Sequence, residues 1–119
     1  MKIMISRQTS LSALPPQQSI IYPNCYDVFN CWNDLVIRKN RFLQVSLGFK
    51  IFDDLGERCV LVDRYGFCVT NHLTVENMPI VNDIPIWCKI TNNTNKDIHV
   101  PHGAILCQIM RLPIDMVGR

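Results

Sequence analysis

Leu43-Gln44-Val45-Ser46-Leu47-Gly48-Phe49-Lys50-Ile51 sets an apolar side chain at every second position, with Gln, Ser, Gly and Lys between them. Successive side chains of an extended backbone point to opposite sides, so this alternation predicts a half-buried β-strand. Ile84-Pro85-Ile86-Trp87-Cys88-Lys89-Ile90 repeats the pattern, with Ile84, Ile86, Cys88 and Ile90 on one face. Pro85 cannot donate to a ladder, which places it at a strand entry or on an edge. Shorter strand candidates are 35–37, 58–62, 67–70, 98–100 and 105–112. Between them lie turn clusters at 30–34, 38–41, 53–56 and 92–96. No stretch keeps an i, i+3, i+4, i+7 pattern for three turns. The fold class read from this is all-β, a sandwich or barrel.

The 119 residues make one domain, 1–119, because two units of half that length would each lack an adequate core. The first nineteen residues are polar and end in Pro15-Pro16-Gln17-Gln18, and they read as an N-terminal strand or arm. Hydrophobic residues make up 48% and charged residues 18%, which excludes a disordered chain. Twelve Lys and Arg against ten Asp and Glu give a net charge of +2. That is too balanced for a protein that coats phosphates, so general nucleic-acid binding is not expected. No apolar run is long enough to span a bilayer, and the N-terminus is charged too soon for a secretory signal. The expectation is a soluble intracellular protein with no membrane partner. Its six cysteines, at 25, 31, 59, 68, 88 and 107, show no C-x2-C pair and read as reduced small hydrophobes.

Motif chemistry is sparse. His99 and His102 are three apart, but at a strand end that spacing sends them to opposite faces, so no metal site is expected there, and His72 adds nothing. Gly-x-Ser-x-Gly, a phosphate loop and His-Glu-x-x-His are all missing. The carboxylates Asp27, Asp34, Asp53, Asp54, Asp63 and Asp83 fall near turns, where solvation is the ordinary reading. Arg64, in the turn Asp63-Arg64-Tyr65-Gly66 between two apolar runs, could clamp an anion.

Taken in order, the segments resemble the trimeric dUTPase family along almost the whole chain. Asn24-Cys25-Tyr26-Asp27-Val28 is similar to the family's Ala-Gly-Tyr-Asp-Leu, and Asp63-Arg64-Tyr65-Gly66-Phe67-Cys68 to its Pro-Arg-Ser-Gly-Leu-Ala. Met78-Pro79-Ile80-Val81-Asn82 falls at the third motif, Gly-Val-Ile-Asp. Gly103-Ala104-Ile105-Leu106-Cys107-Gln108-Ile109 matches the fourth, Gly-Asp-Arg-Ile-Ala-Gln-Leu. The resemblance implies a β-sandwich or distorted barrel of jelly-roll kind.

The departures bear on function. Where the family carries the Asp that activates water, this sequence has Asn82, and a neutral amide cannot take the proton. The third-motif hairpin is shortened, and Pro85 removes a backbone donor from it, so no nucleoside pocket is expected. Tyr65 replaces the phosphate-contacting Ser, and Ala104 and Ile105 replace an acidic residue and an Arg. Asp27, Arg64, Gly66, Gly103 and Gln108 remain. No stretch of this sequence matches the family's Gly-rich C-terminal arm, so the expectation is that the arm is missing. Asp83 could replace the lost base only by a one-residue slip.

The resemblance therefore implies a non-catalytic member, with no catalytic residues, cofactor or metal, whose Asp27, Arg64, Tyr65, Gly66, Asn82, Gly103 and Gln108 are remnants. Adenoviral and herpesviral relatives of that kind act by binding host proteins, and this chain is similar in kind and size to the small adenoviral members. It lacks their C-terminal Ser/Thr-x-Val signature, ending in Met116-Val117-Gly118-Arg119. The expected function is that of a viral interaction module on a host regulatory protein, a homotrimer, with a dimer as runner-up. The alternatives are a divergent pyrophosphatase or nucleotide-binding protein using Asp27, Arg64 and Gln108 with Mg2+, and a structural assembly protein. Trp32, Phe52, Trp87 and Met110 are candidates for core or interface, with core the commoner outcome, and the 92–97 turn reads as solvated.

Overall fold

In the computed structural model, which describes residues 2–5, 14–52 and 57–113, the regular structure is almost entirely strand. They are β1 (Lys2–Ile5), β2 (Gln17–Gln18), β3 (Cys25–Phe29), β4 (Leu35–Ile37), β5 (Arg41–Ser46), β6 (Phe49–Phe52) and β7 (Glu57–Val62). After a helical turn α1 (Phe67–Thr70) come β8 (Leu73–Val75), β9 (Met78–Pro79), β10 (Trp87–Asn92), β11 (Ile98–Val100) and β12 (Ile105–Pro113).

The 43–51 run keeps its alternation but is two strands rather than one. Gly48 takes φ 82, a left-handed value that costs glycine nothing and turns the chain between β5 and β6. β5 then pairs with β10, and β6 with β1. Val45, Leu47, Phe49 and Ile51 are all buried, whereas Leu43 is 41% exposed because it sits on a sheet edge.

Every pairing is antiparallel. One sheet has the order β2-β3-β12-β7-β9 and another β5-β10-β8, with the pairs β4–β11 and β1–β6 beside them. Val28, Leu61 and Ile109 of the first sheet share one core with Val45, Cys88, Ile90, Leu73 and Val75 of the second. Long β12 is the spine, pairing with β3 on one side and β7 on the other.

Several readings need correction. Residues 67–70 form a helical turn, not a strand, because Gly66 at φ 125 turns the chain and the Thr70 hydroxyl and Asn71 amide donate back to the Gly66 and Phe67 carbonyls. The second alternating run begins as a strand only at Trp87, and Ile84 is 53% exposed ahead of it. β3, β8 and β9 were not among the strand candidates, since β8 and β9 are too short to show a period. Phe52 and Trp87 are exposed, while Trp32 and Met110 are partly buried. The 53–56 turn, with Asp53 and Asp54, and residues 114–119 lie outside the described residues, as does 6–13 of the N-terminal segment.

The 92–96 turn is anchored rather than loose. Asn92 is fully buried, and its amide donates to the Ile37 and Lys96 carbonyls while its oxygen accepts from Thr94. All six cysteines are buried, and none is in a disulfide. Burial pushes the Cys68 and Cys88 thiols up to about 12, and Cys107 well above its ordinary value.

Candidate functional site

The β3–β12 register sets Asp27 directly opposite Gln108. Facing side chains on neighbouring strands meet, and the Gln108 amide donates to Asp27 Oδ1 at 2.9 Å. Gln108 is fully buried, so this bond satisfies a group that would otherwise be costly to desolvate.

Beyond β7 the chain turns through Asp63-Arg64-Tyr65-Gly66. Asp63 pins the turn, its Oδ2 accepting the Val75 N–H at 2.9 Å and its own N–H donating to Asn77 at 2.8 Å. Arg64 consequently reaches the middle of β12, donating from Nε to Gln108 Oε1 at 3.4 Å, and donates from a terminal nitrogen to Cys25 Sγ at 3.0 Å. The guanidinium carbon also sits 4.1 Å from the centre of the Tyr22 ring. Tyr65 meets the same ring edge-on, with centroids 6.1 Å apart. Asp27, Gln108 and Arg64 thus form one connected chain, with Tyr22 against its cation and Tyr65 packed edge-on to Tyr22.

Gly66 is required by space as well as by φ: a Cβ there would lie 2.5 Å from the Ile105 carbonyl oxygen. The approach brings Tyr65, Phe67, Val69, Ala104 and Ile105 around an open pocket of about 450 Å3. Gly103 has open space around it and is demanded by φ 82 alone, in the turn where its N–H donates to the Asn30 carbonyl.

Asn82 is not brought to this group. It sits with Asp83 on an exposed turn beside β6, where the Asp83 N–H donates to the Ile51 carbonyl and its carboxylate pairs with Lys50 at 2.7 Å. Asp83 therefore faces Lys50 rather than Arg64, Gln108 or Asp27. The neighbouring segment encloses a pocket of about 320 Å3, walled by Met78, Ile80, Val81, Ile84, Pro85 and Trp87. A concavity was not expected there; the walls are mostly apolar, with Gln44, Glu76 and Lys89 as the polar lining, and prolines at 79 and 85 remove two backbone donors. Among the described residues no cluster of His, Cys, Asp or Glu could hold a metal ion, and His99 and His102 are both exposed.

Two members of the site were not singled out from sequence. Cys25 precedes Asp27 by two, a spacing that puts both on one face of β3 and could have been read. Tyr22 lies in a turn, and nothing in the sequence marks it as the platform for Arg64.

No family model matches the sequence, and no curated protein matches it. Solved structures do. The dUTPase of Streptococcus mutans superposes with a TM-score of 0.80 at 18% identity, covering 95% of each chain. The dUTPase from phage phi11 of S. aureus gives 0.77 at 15% identity, over 96% of this chain and 91% of that one. The dUTPase of Staphylococcus bacteriophage 80alpha gives 0.76 at 14%, over 95% and 90%. This chain has the dUTPase fold. Within that dUTPase fold, Asp27 and Gln108 stand on adjacent central strands and Arg64 on the turn that follows β7. No helix among the described residues is long and apolar enough to cross a membrane.

Proposed function

We propose that this dUTPase-fold chain is a protein-interaction module without pyrophosphatase chemistry, of viral origin, acting on a host regulatory protein inside the cell. The observation that carries the reading is the engagement of Arg64. An arginine that grips phosphate presents its donors to the ligand, whereas Arg64 is folded onto Tyr22, Gln108 and Cys25, with Tyr65 alongside. Asn82 at the position of the base supports the same reading, as does Asp83 held by Lys50. Regulatory use of the fold has a parallel in the phage 80alpha dUTPase, described as controlling transfer of virulence genes. The proposed assembly is a homotrimer, with a dimer as the runner-up, and sedimentation equilibrium distinguishes them.

Calorimetric titration with a non-hydrolysable dUTP analogue and Mg2+, alongside a dUTP hydrolysis assay, tests the loss of chemistry. The expected result is no heat and no turnover. Micromolar binding or turnover overturns the reading in favour of a divergent pyrophosphatase, which the intact Asp27–Gln108–Arg64 chain and the pocket at Met78–Trp87 would then serve.

A further inference from the structure

We infer that the open edge of β5 is a docking site for an extended peptide carrying apolar side chains at alternate positions and an acidic end. The inference deepens the interaction-module reading and rests on it, but the edge shares no residue with the Asp27–Gln108–Arg64 chain.

Among the described residues β5 is hydrogen-bonded on one side only, to β10. The backbone groups that face outward follow from two contacts. The Leu47 N–H donates to the Ile86 carbonyl at 3.0 Å, and continuing the β5–β10 register sets these two residues opposite each other. The Leu47 N–H therefore points to β10, although Ile86 gives its own N–H to the Phe49 carbonyl. On the other side of β10 the Glu76 N–H donates to the Lys89 carbonyl, so Lys89 faces β8 while Cys88 and Ile90 face β5. Inward and outward residues alternate along an antiparallel ladder, so Val45 and Leu43 bond to β10. Ser46, Gln44 and Phe42 turn their N–H and C=O groups away from it. Ser46 bears this out, because its carbonyl accepts the Trp32 indole N–H at 2.9 Å from outside the ladder.

Among the described residues a proline, a bulge and a covering element, three of the usual protections of an edge, are missing from Arg41 to Gln44, all four of which are exposed. Trp32 closes only the Ser46 end. Alongside the edge lies a pocket of about 260 Å3 lined by Trp32, Leu35, Leu43, Val45 and Trp87. Outward donors and acceptors beside an apolar slot are what strand addition uses: the main chain supplies affinity, and the slot takes alternate side chains. Pairing with a second copy of β5 is disfavoured. Antiparallel pairing about Gln44 would set each Ser46, with its indole cap, against the other copy's Phe42.

Charge fixes the direction of the ligand. Arg38, Lys39 and Arg41 crowd the turn into β5, where Asp97 takes Arg38 at 3.3 Å and the Lys39 N–H at 2.8 Å. Among the described residues no carboxylate pairs with the Lys39 or Arg41 side chain, and Lys89 adds a third cation 4.4 Å over the Phe42 ring. Asp34 is two residues from Trp32, whose indole reaches Ser46 at the opposite end of the strand. An acidic end therefore registers against Arg41, and a basic end would meet like charge there.

The probe is a synthetic peptide alternating Val and Thr with Asp-Glu at one end, titrated into the labelled full chain by NMR. The expected result is saturable shifts at the Phe42 and Gln44 amides and slowed exchange of both. N-methylating alternate peptide amides is expected to weaken binding roughly tenfold or more, since two or three ladder bonds are lost. Gln44→Pro, which removes only an outward N–H, is expected to do the same, and Lys39→Glu with Arg41→Glu to weaken the acidic peptide but not a Lys-ended one. No binding overturns the proposal, as does binding insensitive to N-methylation, which needs no variant to fold. Concentration-dependent shifts at the same amides without peptide would mean that a second copy is the occupant, and also overturn it. Turnover of dUTP on the same batch would sink the interaction-module reading by itself, whatever the peptide does.

Discussion

Arg64 sits over Tyr22, with its guanidinium carbon 4.1 Å from the ring centre, and the same side chain reaches the buried Gln108 and Cys25. A cation in this position ties the 22–25 turn to β12. It joins a loop to the central strand of the larger sheet, which is a structural task. An incoming anion would have to pull the guanidinium off the ring and away from two partners before binding it.

Replacing Arg64 by Ala is accordingly expected to lower stability. Loss of the ring contact and of the bond to buried Gln108 amounts to about 1–2 kcal/mol. Urea denaturation measures it. A residue kept only for substrate would leave the midpoint unchanged, and that result would remove the structural role.

Gly66→Ala is expected to cost more. The new Cβ meets the Ile105 carbonyl oxygen at 2.5 Å, and the backbone must hold φ 125, so at least about 2–3 kcal/mol is lost. Gly103→Ala shares the positive φ but meets open space, so a smaller loss of about 1 kcal/mol is expected. Thermal melts of the two variants separate crowding from conformation. Equal losses would mean that the Gly66–Ile105 approach is relaxed in solution.

These contrasts show what the sequence could and could not reveal. Period two at 43–51 and 84–90 was enough for the fold class, because a strand's burial pattern is written in its own residues. Asp27, Arg64, Gly66 and Gln108 could be chosen from their place in an ordered set of motifs. Their joining could not, because the Gln108–Asp27 bond spans 81 positions and depends on the register of β3 with β12. Tyr22 and the open edge of β5 were hidden for the same reason. One depends on how a turn packs, and the other on which strand ends a sheet.

Asn30 offers a test of buried polar packing remote from Arg64. Its amide donates to the Trp32, Val100 and Pro101 carbonyls, and its oxygen accepts the Trp32 N–H. Asn30→Asp keeps the acceptor but replaces the NH2 group, with its two donors, by an oxygen facing three carbonyls at full burial. A loss of about 3 kcal/mol or more is expected, enough to lower expression or leave the β4–β11 pair unformed. Amide exchange at Val36 and Val100 would report it. Native-like protection in that variant would mean that water enters and satisfies the site.

Stability is also expected to fall in alkali, through the buried thiols. Desolvation raises Cys68 and Cys88 from 9.0 to about 12, with the Asp63 charge adding to the first and Cys68 to the second, and Cys107 moves the same way. The folded chain thus keeps protons that the unfolded chain releases. Below pH 9.0 both states hold them, and these groups contribute no pH dependence. Between there and about pH 12 each thiol removes up to about 1.4 kcal/mol per pH unit. The urea midpoint is therefore expected to hold steady from neutral pH to the lower limit and then to drop steeply. Other groups titrate in that range, so Cys88→Val isolates the effect: it removes one thiol at similar volume, and its midpoint should fall less steeply over the same window. Parallel slopes for the variant and the parent would show that Cys88 is not held protonated by burial.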